Sequence, residues 1–370
     1  MNTVQPRMRP VLDGLPVFRP GPVAHAADGH AYLLAANESP QGPLPSVAEA
    51  VRAAVGEVNR YPDGAVTGLT GDIAGRLGVP ADRVVVGAGS VGVAQMLFAA
   101  VAEPDAEAVF AWRSFEAYPT LAKLAGMRPV AVPLRDERHD LAAMAAAVTP
   151  RTRLILVCNP NNPTGTVVRR AEVEEFLDRV PADCLVVFDE AYREYVRDTD
   201  VPDALTLDRP NVVVLRTFSK AFGLAALRVG YLVAHPAVAE RVAKTRLPYS
   251  VNHLAQVAAR ASLLAEGELL ARVESTVRER ERVRGALLDA GWAVPASEAN
   301  LLWLRLGGAS ADFAARCAAQ GVNVRAIGDE GVRVSVGDAR ENDAFLAVAT
   351  AYPHRTDPAA AVDQQRGATA

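Results

Sequence analysis

Lys220 is one of only three lysines in the chain, with Lys123 and Lys244, against a Lys+Arg total of 39. Where a fixed positive charge suffices, this sequence uses arginine. A guanidinium stays protonated and forms no imine, whereas a desolvated amine can. Lys220 lies in RTFSKAFGLAALRVG (216–230), behind a serine and just after the apolar run NVVVL (211–215). That placement makes it a candidate covalent centre, with a solvated loop lysine as the plainer alternative.

Four motifs offer groups that would meet a ligand beside it. Asp189 closes the run CLVVF (184–188), and Tyr192 follows three residues later. A carboxylate held there is either a helix cap or a group that keeps a heterocyclic nitrogen protonated. NPNNPTG (159–165) follows LILVC (154–158) and reads as an Asx-Pro turn. Its density of amides exceeds what a turn needs, and Asn162 is placed to reach a ligand oxygen. GAGSVG (87–92) opens a helix after VVV (84–86), where backbone amides meet an anion. Within 216–230, Thr217, Ser219 and Arg228 form a candidate phosphate cradle, the arginine as a fork and the hydroxyls as donors. A phosphate cradle, a nitrogen-pairing carboxylate, a phenol and an imine-forming lysine share one economical ligand, pyridoxal 5′-phosphate.

GAGSVG also matches the GxGxxG dinucleotide pattern. A nicotinamide-dependent dehydrogenase would need an acid near the end of the next strand, but 107–112 ends in Trp112-Arg113. It would also leave Asp189, Tyr192 and Lys220 without roles.

These groups need strands that end where each motif begins. Apolar runs at 83–86, 108–112, 128–132, 154–158, 184–188, 212–215 and 229–234 read as strands. Helical patterns at 70–77, 91–102, 115–125, 141–147 and 170–180 lie between them. The alternation predicts an α/β fold, a mostly parallel sheet covered on both faces, with ligands at the carboxyl ends of its strands. Upstream, Pro- and Gly-rich residues 1–30 read as an arm and 31–36 as a short strand. Residues 46–58 read as a helix with Val47, Ala50, Val51, Ala54 and Val55 on one face. After about 240 the pattern changes. One long bridging helix is predicted over 252–288, then strands at 301–306 and 331–336 with helices at 311–320 and 341–351. The expected division is an arm (1–35) joining a small C-terminal α+β domain (251–355), a large ligand-binding domain (36–250), and a disordered polar tail (356–370).

Bulk properties narrow the function. A net charge of −4 and a pI near 5.9 give no reason to expect nucleic acid or an anionic membrane as partner. No apolar run is long enough to span a bilayer, and the opening MNTVQPRMRPVLDGLP lacks a signal-peptide core. Cys158, Cys184 and Cys317 show no metal-ligand spacing and read as reduced thiols, so a cytoplasmic location and no metal are expected.

NPNNPTG, VVFDEAY and RTFSKAFGLAALRVGY, in that order, resemble the fold-type I PLP-dependent aminotransferases. With ANESP and RYPD, the chain is similar more narrowly to the histidinol-phosphate/aromatic amino acid aminotransferase branch, over about residues 11–352. The resemblance implies a large domain with a mostly parallel seven-stranded sheet flanked by helices, a smaller α+β domain and a homodimer. It implies that Lys220 carries the internal aldimine and shuttles the proton as general base in a ping-pong transamination. Asp189 would hold the pyridine nitrogen, and Tyr192 and Asn162 the phenolic oxygen. Gly89, Ser90, Val91, Thr217, Ser219 and Arg228 would cradle the phosphate, joined by Tyr61 of the partner subunit. Phe115 would lie over the ring, Arg333 would bind the substrate α-carboxylate, and Asn37 lies in the substrate-contact turn.

Substrate choice rests on finer marks. Histidinol-phosphate enzymes usually carry a tyrosine in the arm segment that here reads LPVFRPG (15–21), and Phe18 cannot donate a hydrogen bond but can line an apolar pocket. WRSFEAYP (112–119), and Val91 where an acid is usual, resemble the actinobacterial aromatic (phenylalanine) aminotransferases. The expectation is transamination of Phe, Tyr and Trp with 2-oxoglutarate, with histidinol phosphate as the alternative substrate. ANESP in place of the commoner NENP, and Ala226 in place of a usual glycine, leave room for a shifted substrate. A non-catalytic PLP-binding regulator is disfavoured, since nothing resembles a DNA-binding domain.

Overall fold

A computed structural model describes residues 7–17 and 21–353. Phe18 and the tail at 356–370 lie outside the described residues. The chain opens with β1 (Tyr32–Leu33), α1 (Pro45–Ala54) and α2 (Thr67–Leu77). An alternating series follows: β2 (Val84–Gly87), α3 (Gly89–Val101), β3 (Glu107–Trp112), α4 (Ala117–Ala125), β4 (Arg128–Pro133), α5 (Leu141–Ala146), β5 (Thr152–Cys158) and α6 (Arg170–Arg179). Three strands come next, β6 (Leu185–Asp189), β7 (Val212–Thr217) and β8 (Gly230–Val233), then α7 (Pro236–Ala243), α8 (His253–Leu264) and α9 (Glu266–Asp289). The last part holds β9 (Leu301–Arg305), α10 (Ser310–Ala319), β10 (Val322–Asn323), β11 (Arg325–Ile327), β12 (Gly331–Ser335) and α11 (Ala339–Ala351).

The large sheet has the order β2-β8-β7-β6-β5-β3-β4. All its pairings are parallel except those of β8, which runs antiparallel to both β2 and β7. Its strands are continuous runs of branched apolar residues because both faces are covered. Alternation sorts them. Val186, Phe188, Val212 and Val214 enter one hydrophobic cluster, while Val187, Val213 and Leu215 enter the cluster on the opposite face. A third cluster, around Leu302, Phe313, Val332 and Phe345, forms under the three-stranded sheet β11-β12-β9. The arm strand β1 pairs in parallel with β10 beside it.

Several expectations are corrected. The single helix over 252–288 is two helices, broken at Ala265 (φ −99°, ψ 25°). An unbroken helix of that length would run about 55 Å, too straight to serve two cores. Instead α8 and the start of α9 pack in the first cluster through Ala255, Ala259, Leu269 and Val277, whereas Val283 and Leu287 of α9 enter the third. The helix over 46–58 stops at Ala54, and Val55 and Val58 are exposed at 51% and 59%. The strand over 31–36 pairs only at 32–33, because the polar groups of residues 35–37 are taken by side chains described below. Three elements had no sequence expectation: α7, whose Pro at the first turn is a start signal, and β10 and β11, too short for a periodic pattern.

Candidate active site

The carboxyl ends of β6 and β7 lie side by side, with Asp189 paired to Leu215 in register. The reversed strand β8 starts where β7 stops, so Thr217, Gly230 and Gly87 stand in one row across three strands. This row brings the segment before β8 against the N-terminus of α3. The approach is closer than a side chain allows. A Cβ on Gly230 would stand 2.5 Å from the backbone nitrogen of Ser90, and one on Gly89 (φ +74°) would stand 2.3 Å from Nη2 of Arg228. Arg228, itself left-handed at φ 56°, donates from Nη1 to Ser219 Oγ at 3.0 Å and to the carbonyl of Ala225 at 2.8 Å. Thr217 Oγ1 accepts from the Ser219 amide at 3.0 Å. Two hydroxyls, a guanidinium and the amides of a helix start thus converge, an arrangement that suits a phosphate dianion. Val91 lies half-buried in the first turn of α3.

Asp189 is 4% exposed. Its Oδ2 accepts from the Tyr118 hydroxyl at 2.7 Å, while Oδ1 is buried without a hydrogen-bond partner among the described residues. A buried carboxylate oxygen left open is costly unless a donor arrives. Burial pushes the Asp189 carboxyl up to about 6, opposed by the Tyr118 hydrogen bond. A protonated ring nitrogen is a donor of the kind that oxygen lacks.

Lys220 follows β7 by three residues, and its Nζ donates to the carbonyl of Ala36 at 2.9 Å. Burial, together with the nearby Arg333 guanidinium, lowers the ammonium to about 8. A substantial neutral fraction near neutral pH is what imine formation and proton transfer need.

Arg333, on β12 of the small sheet, donates from Nη1 to Asn162 Oδ1 at 2.7 Å and from Nη2 to the carbonyl of Ala35 at 2.5 Å. Its buried Nε has no partner among the described residues. Asn162 is held in NPNNPTG, whose Asn161 accepts from Ser114 Oγ at 2.8 Å and lies 3.0 Å from His139 Nε2. Tyr192 is 2% exposed, and its hydroxyl accepts from Asn37 Nδ2 at 2.8 Å. Phe115 is half-buried and meets Tyr118 edge to face at 5.5 Å.

The structure therefore brings Asn37, Asn162, Tyr192, Lys220 and Arg333 into one linked cluster. Asp189 bears on Lys220 electrostatically, and Gly89, Ser219 and Arg228 form the cradle beside them. Tyr61 is not joined to them within one chain. It is 82% exposed, stacks on Tyr249 at 4.6 Å, and lines a groove of about 390 Å³ with Arg60, His253 and Arg260. Sequence reasoning missed Tyr118, Ser335, Asn300 and the carbonyls of Ala35 and Ala36. Only Tyr118 had a signal, three residues beyond Phe115 on the same helical approach. No group of three or more potential metal ligands occurs among the described residues, and no helix there is long and apolar enough to cross a membrane.

Comparison with known proteins shows the family of the chain. The family described as "Aminotransferase class I and II" matches residues 30–348. An "Aromatic amino acid aminotransferase" of Thermobifida fusca (strain YX) is 60% identical over 352 residues, covering 95% of this chain and 98% of the relative. One of the same name from Streptomyces avermitilis is 55% identical, over 94% and 98%. Among solved structures, a histidinol-phosphate aminotransferase from Sinorhizobium meliloti in complex with pyridoxal-5'-phosphate superposes with a TM-score of 0.84. It is 29% identical, over 94% of this chain and 98% of that one.

Proposed function

This chain belongs to the class I and II aminotransferases, and from that premise we propose that it transaminates aromatic L-amino acids (Phe, Tyr, Trp) with 2-oxoglutarate, using pyridoxal 5′-phosphate in a ping-pong cycle. The open, buried Oδ1 of Asp189 beside a desolvated Lys220 carries the cofactor assignment. The aromatic assignment is supported by relatives of that name at 55–60% identity over nearly the whole chain. A dehydrogenase is not favoured by the family match, and on the present reading GAGSVG is a phosphate turn rather than a dinucleotide fingerprint.

The residues fit the cofactor. Gly89, Ser90, Thr217, Ser219 and Arg228 would hold its phosphate, with Val91 in the same helical turn. Tyr61 of the partner subunit would complete that cradle in a homodimer. The exposed Val55, Val58, Leu247 and Tyr249, in the segments that flank this tyrosine in sequence or stack on it, support such an interface. Asp189 would keep the ring nitrogen protonated, Tyr192 and Asn162 would hold the phenolic oxygen, and Phe115 would cover the ring. When bound, the cofactor supplies an aldehyde that carries the amino group and a ring that accepts the electron pair released at the substrate Cα. Lys220 would move the proton between the substrate Cα and the cofactor's C4′ as general base, a task for an amine with a lowered pKa. Arg333 would fork onto the α-carboxylate, exchanging its contacts with Ala35 and Asn162 for that anion. Phe18 and the turn at Asn37 would border the substrate.

On this reading the arm (1–35) joins a small C-terminal domain (251–355), whose helix α9 passes from the first core at Val277 to the third at Val283. A cytoplasmic location fits three buried free cysteines. Steady-state kinetics with a panel of amino donors tests the substrate. Phenylalanine, tyrosine or tryptophan is expected to give the highest kcat/KM, and a higher value on histidinol phosphate overturns the aromatic assignment.

A further inference from the structure

Asn37 has no polar atom to spare. Its amide donates to Ser335 Oγ at 2.7 Å and its carbonyl accepts from Asn300 Nδ2 at 3.1 Å. Its Oδ1 accepts from Ser335 Oγ at 3.1 Å, and its Nδ2 donates to the Tyr192 hydroxyl at 2.8 Å. The residue is 1% exposed and left-handed at φ 53°, a conformation asparagine tolerates better than most. The Ser335 amide also donates to the Leu34 carbonyl at 2.8 Å, so Ser335 clasps both Leu34 and Asn37 of the opposing segment.

Direction along this chain of bonds follows from the orientation of the Asn37 amide, Oδ1 toward Ser335 and Nδ2 toward Tyr192, together with the donor and acceptor inventory. A backbone amide only donates, so Ser335 Oγ accepts there and its own proton is free for Asn37 Oδ1. That bond fixes which end of the Asn37 amide is oxygen, and turns the NH2 toward Tyr192. An NH2 only donates, so the phenol oxygen must accept. The one phenol proton is thereby excluded from this contact and points elsewhere.

We infer that Asn37 and Ser335 are positioning residues, a polarised relay that keeps Tyr192 a hydrogen-bond donor toward the bound ligand's phenolic oxygen. The inference rests on the reading of Tyr192 as a cofactor contact given above. It assigns Asn37 a task that needs no direct substrate contact, and Ser335 a task that its sequence context does not announce.

Two near-isosteric changes test the direction. N37D keeps Oδ1 but replaces the donor facing Tyr192 by an acceptor, which draws the phenol proton inward. S335A removes the group that orients the amide, and S335T restores it. The readouts are the affinity of the cofactor-free protein for pyridoxal 5′-phosphate, followed by absorbance, and the pH midpoint of the bound cofactor's absorbance band. Loss of one such bond corresponds to roughly tenfold in affinity. Y192F and N37D are each expected to weaken binding about tenfold and to move the midpoint in the same direction, S335A about threefold, and S335T less than twofold.

In the Y192F background, N37D and S335A are expected to add less than about twofold, because the relay has lost its end point. Full losses that persist in that background would show a structural clasp or a charge effect, and would overturn the relay. So would an S335T protein as weak as S335A, a comparison that decides the matter even where N37D fails to fold. Should Y192F itself leave affinity and midpoint unchanged, the cofactor-contact reading of Tyr192 fails instead, and the two failures are told apart.

Discussion

Asp189 and Glu190 are consecutive residues at the end of β6, 4% and 2% exposed, yet their surroundings are opposite. Glu190 is saturated. Its Oε2 accepts from Nε and Nη2 of Arg216 at 2.9 and 2.7 Å, its Oε1 accepts from the Ala204 amide at 2.8 Å, and Arg216 reaches on to Asp203 at 2.7 Å. Asp189 has one hydroxyl donor and one open oxygen. The period of two explains the division. Asp189 and Thr217 follow Val187 and Leu215 to one face, whereas Glu190 and Arg216 follow Phe188 and Val214 to the other. One face of the same strand ends carries a closed ion cluster that ties loops to the sheet; the other carries a socket. Burial alone does not distinguish a structural carboxylate from a functional one, but the count of its satisfied lone pairs does.

The contrast is open to direct attack. Lys220→Ala should cut turnover by at least about 10⁴-fold with little change in the melting temperature, as a change confined to the socket face. Arg216→Met on the other face strands the Glu190 carboxylate, and should cost about 3–5 kcal/mol of stability in chemical denaturation. The fraction that stays folded should still bind pyridoxal 5′-phosphate. If Arg216→Met instead abolished binding without loss of stability, the two faces would not be separate.

Asp189→Asn should reverse the usual sign of a mutation. In the cofactor-free protein the folded-state carboxyl titrates near 6, above the ordinary value of 3.8. Its contribution is therefore fully present below about pH 4 and lost as pH rises through about 6. The asparagine variant, lacking that loss, should be more stable than wild type by about 3 kcal/mol at pH 7.5, with the gap closing below pH 4. Matched denaturation curves at the two pH values would show it, and a gap independent of pH would sink the assignment. Activity of the same variant should fall sharply. Tyr118→Phe is the mildest change. Removing the one donor to Oδ2 should cost about 1 kcal/mol and raise the Asp189 midpoint in the same denaturation series.

Much of this was legible in the sequence, and the reasons are local. Lys220, Asp189 and Asn162 announced themselves because each closes or follows an apolar strand, and parallel strands covered on both faces must read as apolar runs. The pairings within the socket were not legible. Tyr118 meets Asp189 across 71 residues and Ser335 meets Asn37 across 298, separations that no window along the chain can see. The break at Ala265 was hidden for a related reason: each half of the segment is a sound helix, and only the presence of two cores decides that it must bend. Arg216 was readable as part of a motif but not as a structural ion, since its partner Glu190 stood unnoticed beside the acid that drew attention.

The reversed strand β8 has a consequence for how the molecule comes into being. It lies between β2 and β7, and β2 has no other partner in the sheet. A chain leaving the ribosome can pair β3 to β7 among themselves, but β2 waits until residue 233 has emerged, nearly 150 residues after its own synthesis. The helix start at Gly89 and the arginine at 228 come together at that moment and not before. The cradle is thus among the last features of the large sheet to assemble. Nascent chains halted before Gly230 should have every hydrophobic strand of the sheet's far side and no capacity to retain the anion.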